Sequence, residues 1–168
     1  MKFSCEKALL QAAINTASRA VASKSSIPAL EGLLLEARHG YLIVSGYNMQ
    51  LGIRSRFPAN IIEEGELVLN ARLFGDIIRK MPDDVIVFSA DDKLMVSVTC
   101  GDADFHILGL NAADFPELPD VEDDYICTVK QSVLKTMING TSFAVSTNES
   151  RIVHTGSLFE IGAGMLTV

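Results

Sequence analysis

Sliding the 168-residue sequence along itself by 124 positions lays residues 1–44 on residues 125–168 without a gap. Thirteen of those 44 pairs are identical: Leu10/Leu134, Ile14/Ile138, Asn15/Asn139, Ser18/Ser142, Ala20/Ala144, Val21/Val145, Ser26/Ser150, Gly32/Gly156, Leu34/Leu158, Glu36/Glu160, Gly40/Gly164, Leu42/Leu166 and Val44/Val168. Average amino-acid usage gives roughly 3 matches over such a length by chance. A chain of this kind builds one unit twice. It reads as a complete domain, residues 1–120, followed by the truncated start of a second, residues 121–168.

Each copy opens with a short strand, "KFSC" or "YICTV", followed by a helix. In the first helix Leu10, Ala13, Ile14, Ala17 and Val21 recur at helical spacing and are assigned to the core, with Lys7, Gln11, Asn15 and Ser18 on the opposite, polar side. In the second copy Val133, Leu134, Met137, Ile138 and Thr141 take the buried part, and Thr128 to Gln131 has the form of a capping box. After a Ser-rich loop the first copy continues with "LEGLLLEA", "YLIVSG" and "QLGIRSRF", three strand-like runs. A second helix then spans residues 71–81, with Asn70 as its cap and Pro82 as its stop. Leu73, Phe74, Ile77, Ile78 and Met81 form its core side, and Arg72, Asp76 and Arg79 its other face. "DVIVFSA", "KLMVSVTC" and "ADFHILGL" complete the domain, which becomes two strand-helix-three-strand units. The predicted class is α+β, two helices packed on antiparallel sheet.

The join between the copies, "NAADFPELPDVEDDY", is stiffened by Pro116 and Pro119. Six acids among residues 114–124 make it a solvated connector. Apolar residues make up 48% and charged ones 21%, a globular mixture. No run approaches a membrane span and no secretory signal opens the chain, so the predicted location is cytoplasmic, without a membrane partner. Cys5, Cys100 and Cys127 lack metal or disulfide-framework spacing and read as buried structural thiols. The net charge of −7 argues against nucleic acid unless the bases are segregated from the acids.

The two-unit repeat, the connector Ala113-Asp114-Phe115-Pro116-Glu117-Leu118-Pro119, the opening Met-Lys-Phe, the Ile27-Pro28-Ala29-Leu30 turn before Gly32-Leu33-Leu34-Leu35, the Ala71-Arg72-x-Phe74 helix start and the Arg151 to Gly156 spacing resemble the bacterial sliding clamp family, the beta subunit of DNA polymerase III. The resemblance covers essentially the whole chain. It implies the DNA clamp fold and a member with three such domains, roughly 370 residues at this period. It also implies a homodimeric ring, closed head to tail around duplex DNA, with helices lining the hole. Such a ring is a processivity factor: it tethers DNA polymerase, receives the clamp loader, performs no catalysis and needs no cofactor. The partner it implies is duplex DNA held without sequence specificity, as phosphate contacts allow.

The resemblance also assigns positions. Lys24, in the loop after the first helix, and Arg72, at the start of the second, stand at DNA-contact positions; Arg79 shares the face of Arg72. In the second copy Asn148 aligns with Lys24, and Arg151, Ile152 and Val153 follow it in the same loop; some family members carry stacking tyrosines where Ile152 and Val153 stand here. Phe105 and Ile107, on the last strand of the domain, fall where the family pairs edge strands between subunits, although alternate strand positions also suit a plain core.

Two other classes compete. A carboxylate- or metal-dependent hydrolase would draw on Asp83/Asp84, Asp91/Asp92 and Asp102/Asp104, yet each pair sits in a turn, where Asp is favoured for local hydrogen bonding. His39, His106 and His154 match no ligand spacing, and neither a nucleophile elbow nor a phosphate-binding glycine loop occurs, so no catalytic or metal-ligating residue is assigned. A scaffold that uses the repeat for protein contacts alone is the other alternative.

Overall fold

The computed structural model describes residues 1–119, 127–162 and 164–168. The rest of the connector, 120–125, and the opening of "YICTV" lie outside the described residues. The chain divides into two compact units, Met1–Pro119 and Asp120–Val168.

In the first unit β1 (Lys2–Glu6) runs directly into α1 (Lys7–Ala17), which continues as a 3₁₀ turn, Ser18–Ala20. Then come β2 (Gly32–Arg38), β3 (Tyr41–Tyr47), β4 (Gly52–Pro58), a short β5 (Asn60–Glu63), β6 (Gly65–Asn70), α2 (Ala71–Lys80), β7 (Val85–Ala90), β8 (Met95–Cys100) and β9 (Ala103–Leu108). The fold is α+β, but its strands divide between two antiparallel sheets, ordered β5-β1-β7-β8-β9 and β4-β3-β2-β6. The two strand-helix units interlock. β1 pairs with β7 of the other unit's sheet, and β6 pairs with β2.

The helices close over one core shared by both sheets. Strand alternation supplies Phe3 and Cys5 from β1, and Val96 and Val98 from β8; helical spacing supplies Leu10, Ile14 and Ala17 from α1, and Phe74, Ile77 and Ile78 from α2. Phe3 and Phe88 stack with centroids 4.6 Å apart, and Phe74 meets Phe88 edge to face at 6.3 Å, joining sheet to helix. Burying each such ring contributes about 1.5–3 kcal/mol. Asn70 caps α2 as the sequence predicts, its side chain accepting from Leu73 N–H at 3.0 Å, and the helix ends ahead of Pro82.

Three assignments in this unit change. Lys7 is buried rather than polar-facing: it lies three residues before Leu10 on the inner stripe, and its ammonium finds partners there. Leu73 is 51% exposed, because Phe74, Ile77, Ile78 and Met81 already fill the inward stripe and Leu73 falls beside it. The connector is not solvated throughout. Phe115 is buried among Ala29, Leu30, Tyr47 and Val68, and Leu118 packs against the same cluster.

The second unit contains α3 (Gln131–Thr141), a 3₁₀ turn Ser142–Ala144, a kinked 3₁₀ segment Glu149–Thr155, and the hairpin β10 (Glu160–Gly162) and β11 (Met165–Thr167). Its elements repeat those of the first unit at the same offset of 124. α3 matches α1, Glu160↔Thr167 and Ile161↔Leu166 repeat Glu36↔Ile43 and Ala37↔Leu42, and Ser146 N–H to His154 O (2.9 Å) repeats Ala22 N–H to Leu30 O (3.0 Å).

The packing does not repeat. Among its described residues none is buried, so the core assigned to Val133, Leu134, Met137, Ile138 and Thr141 is half-buried at most. Leu158 and Phe159 are exposed as well. In the first unit α1 packs against α2 and β4, and the described residues of 127–168 contain no counterpart of those elements. The capping box does not form, since the residue before the helix is Lys130 and it makes no side-chain cap. Residues 127–130 carry no strand, and Cys127 is exposed.

Candidate nucleic-acid interface

α1 and α2 lie antiparallel on the first unit, fixed at three places. At one end the Lys7 ammonium donates to Met81 O (2.6 Å) at the end of α2. Midway, a Cβ on Gly75 would stand 3.4 Å from Ile14 Cγ2, so a glycine here lets the helices approach closely. At the other end a groove of about 560 Å³ is lined by Ser18, Val21, Ala22 and Ser23 from the α1 side, Asn70, Ala71 and Arg72 from the α2 side, and one acid, Glu31. Both helices bury their inner stripes in one core, so their outer stripes face the same solvent.

That shared face is basic. Residues 7–24 and 70–81 place five exposed bases there, Arg19, Lys24, Arg72, Arg79 and Lys80, against one acid, Asp76, while a sixth base, Lys7, is buried. The rest of the first unit holds five bases against fourteen acids. Arg79 is paired one turn back with Asp76. The groove brings Arg72 beside Ser23, whose neighbour is Lys24, so the loop after α1 and the start of α2 present their charges together. A lysine and an arginine so placed attract an extended polyanion through its phosphates, with Glu31 the one acid in the groove.

Arg19 is a member of this face that sequence reasoning passed over. Its signal was present: it lies four residues after Asn15, on the same polar row of the helix.

In the second unit Asn148 precedes the 3₁₀ segment, and its side-chain oxygen accepts from Ser150 N–H (2.9 Å). Arg151 is exposed and breaks that segment with φ −134° and ψ 92°. Ile152 and Val153 are 79% and 85% exposed. These four therefore stand together on one exposed loop.

β9 is the edge strand of its sheet. Phe105 is 38% exposed, whereas Ile107 is 8% exposed and belongs to the core, as alternate positions on a strand allow. On the opposite face Leu108 pairs with Met95, both exposed. Of the carboxylate pairs, Asp91 and Asp84 are engaged within their own turns, and Asp83 across the fold by Lys7. Asp91 accepts from Lys93 N–H (2.9 Å) and Met95 N–H (2.8 Å), Asp84 from Val85 N–H (2.7 Å), and Asp83 from Lys7. Among the described residues no cluster of three or more His, Cys, Asp or Glu is arranged to hold a metal ion, and no helix is long and apolar enough to cross a membrane.

The fold has known relatives. A beta sliding clamp of Halalkalibacterium halodurans is 33% identical over 99% of this chain, and one of Synechocystis is 35% identical over 93%. The chain spans under half the length of those relatives, 46% and 42%. Among solved structures, the DNA polymerase sliding clamp of Bacillus subtilis matches with a TM-score of 0.87 and 30% identity over 91% of this chain and 42% of its own. The DNA polymerase III subunit beta of Pseudomonas aeruginosa matches with a TM-score of 0.92 and 26% identity over 99% of this chain and 45% of its own. Residues 1–119 match the profile of the DNA polymerase III beta subunit, N-terminal domain, and the chain belongs to that family.

Proposed function

We propose that this chain supplies the first domain, residues 1–120, and the start of the second, residues 121–168, of a DNA sliding clamp. In this reading it is a non-catalytic, cytoplasmic processivity factor. As a homodimeric ring it encircles duplex DNA without sequence specificity and tethers the replicative DNA polymerase, to which a clamp loader delivers it. Lys24, Arg72 and Arg79 face the duplex from the first domain, and Asn148, Arg151, Ile152 and Val153 from the second. Phe105, with Ile107 behind it, serves the edge where subunits meet.

One observation carries the reading: the separation of charge within a single domain, five exposed bases against one acid on the helical side and, outside residues 7–24 and 70–81, five bases against fourteen acids. An acidic exterior repels DNA from outside the ring, while a helical face of separate cations attracts it weakly enough to slide. Family membership supports the same conclusion.

The test is fluorescence anisotropy of this chain with short duplexes of unrelated sequence. Binding should be weak, indifferent to sequence and steeply reduced by salt. Charge reversal at both Lys24 and Arg72 should abolish it. If reversal changes nothing, the helical face does not meet DNA and the protein-contact scaffold replaces this reading; metal-dependent turnover of a substrate would favour the hydrolase instead.

A further inference from the structure

Lys7 is the one lysine in the first unit that lies inside the protein, its side chain 9% exposed. A buried ammonium requires partners, and Lys7 has two: Met81 O at 2.6 Å and Asp83 Oδ1 at 2.7 Å. The same residue's backbone N–H donates to Asp84 O (3.2 Å), and Cys100 Sγ donates to Pro82 O at 3.5 Å from the far side. Four consecutive residues, 81–84, are thereby held from α1 and from β8. They are the residues that end α2, where last-turn carbonyls lack helical partners and the helix dipole favours a cation.

An apolar side chain at position 7 would continue the stripe of Leu10 and Ile14 and leave Met81 O without its donor. The corresponding residue of the second copy, Gln131, is exposed and begins a helix with nothing packed against it in this way. Arg79 and Lys80 occupy the last two positions of α2, immediately before the latched segment.

We propose that Lys7 is a positioning residue for the basic face. Its ammonium fixes the C-terminal end of α2, and through it the direction of Arg79 and Lys80 relative to Arg19 in the 3₁₀ turn that follows α1. The inference rests on reading that face as the one that meets the duplex. Lys7 itself is buried and touches no phosphate; it acts through α2.

Two substitutions separate position from charge. Lys7→Met removes one positive charge and Asp83→Asn removes one negative charge, yet each takes away a charge-assisted bond that holds the 81–84 segment. Amide exchange at residues 77–81 should rise in both variants, roughly tenfold where a charge-assisted hydrogen bond is lost. Both should weaken duplex binding, and both should lower the salt slope by up to about one unit. Opposite effects on binding would mean that the two residues act only through net charge, and the proposal fails. A lowered Tm with unchanged exchange at 77–81 and unchanged binding would make Lys7 merely structural, and the proposal also fails. Should Lys7→Met not fold, Asp83→Asn, at a side chain 95% exposed, decides the matter alone. If the unaltered chain binds no duplex at all while exchange rises as expected, the latch stands and the DNA reading of the face is what is lost.

Discussion

Gly40 and Gly164 stand 124 positions apart and hold the same left-handed backbone, with φ of 77° and 76°. Each closes a hairpin whose strands pair in the same register, Glu36↔Ile43 in one copy and Glu160↔Thr167 in the other. A Cβ would meet nothing within 4 Å at either position, so a substitution there is opposed by backbone conformation alone. Gly40→Ala should lower the stability of the first unit by about 1–2 kcal/mol, and Gly40→Asn by less. Urea unfolding of the two variants side by side measures the difference.

The ring of Phe88 stacks on Phe3 and meets Phe74 at nearly a right angle. Phe88→Ala should cost about 3–5 kcal/mol, enough to unfold much of the first unit at ambient temperature. Loss of near-ultraviolet circular dichroism, with Phe88→Leu retaining most of it, is the expected result.

The three thiols should react in sequence. Cys127 is exposed and should be alkylated at once, whereas Cys5 and Cys100 should react only as the first unit opens. Burial, with a lesser contribution from the Glu6 carboxylate, pushes the Cys5 thiol up to about 12. The unfolded chain therefore releases this proton near the ordinary thiol value while the folded one keeps it. The stabilising contribution is complete below pH 9 and is lost as the pH rises towards 12. Cys5→Ala should flatten that part of the stability curve, as measured by thermal melts between pH 8 and 11.

Arg19 and Arg72 are exposed on the same basic face, one on each side of the helix pair. Replacing either by Glu should weaken duplex association equally for all sequences and reduce the salt slope by about one unit per lost phosphate contact. The same change at Lys93, in a turn on the other side of the chain's charge division, should do neither.

Removing the cap of α2 should be milder. Asn70→Ala leaves Leu73 N–H without its acceptor and should cost about 1 kcal/mol; Asn70→Asp should restore the bond. Chemical denaturation distinguishes the pair.

Much of the architecture was legible because it repeats. The offset of 124 in the sequence is also the offset of helix boundaries, hairpin register and the loop hydrogen bonds, so Lys24 and Asn148 correspond by sequence alone. What stayed hidden depended on contacts between distant segments. Lys7 fits a polar helical row and an inner row equally well, and only Met81 O, 74 residues away, decides between them. Phe115 sits among acids and prolines, and its burial depends on the cavity formed by Leu30, Tyr47 and Val68. Leu73 is apolar in a helix and yet exposed, because the stripe beside it was already full. Periodicity also passed over β5 and did not mark the bounds of β6, which runs into α2 without a turn. On the site, Lys24, Arg72 and Arg79 were assigned by resemblance, whereas the only local sign of Arg19 was its place four residues after Asn15 on the polar row.

The interlocked pairing of the two halves bears on how such a chain is made. β1 leaves the ribosome first, yet it ends as an inner strand between β5 and β7, with Phe3 opposite Phe88. Synthesis at about 5–20 residues per second keeps that strand waiting several seconds for its second neighbour. Until then one edge of β1 stays unpaired, although β3 and β4 already lie against α1, and the emerging chain offers an apolar strand edge to whatever it meets. Completion is set by the arrival of the last strands rather than by the stability of the first, so a translational pause before residue 85 would lengthen that exposure, and one after residue 108 would not.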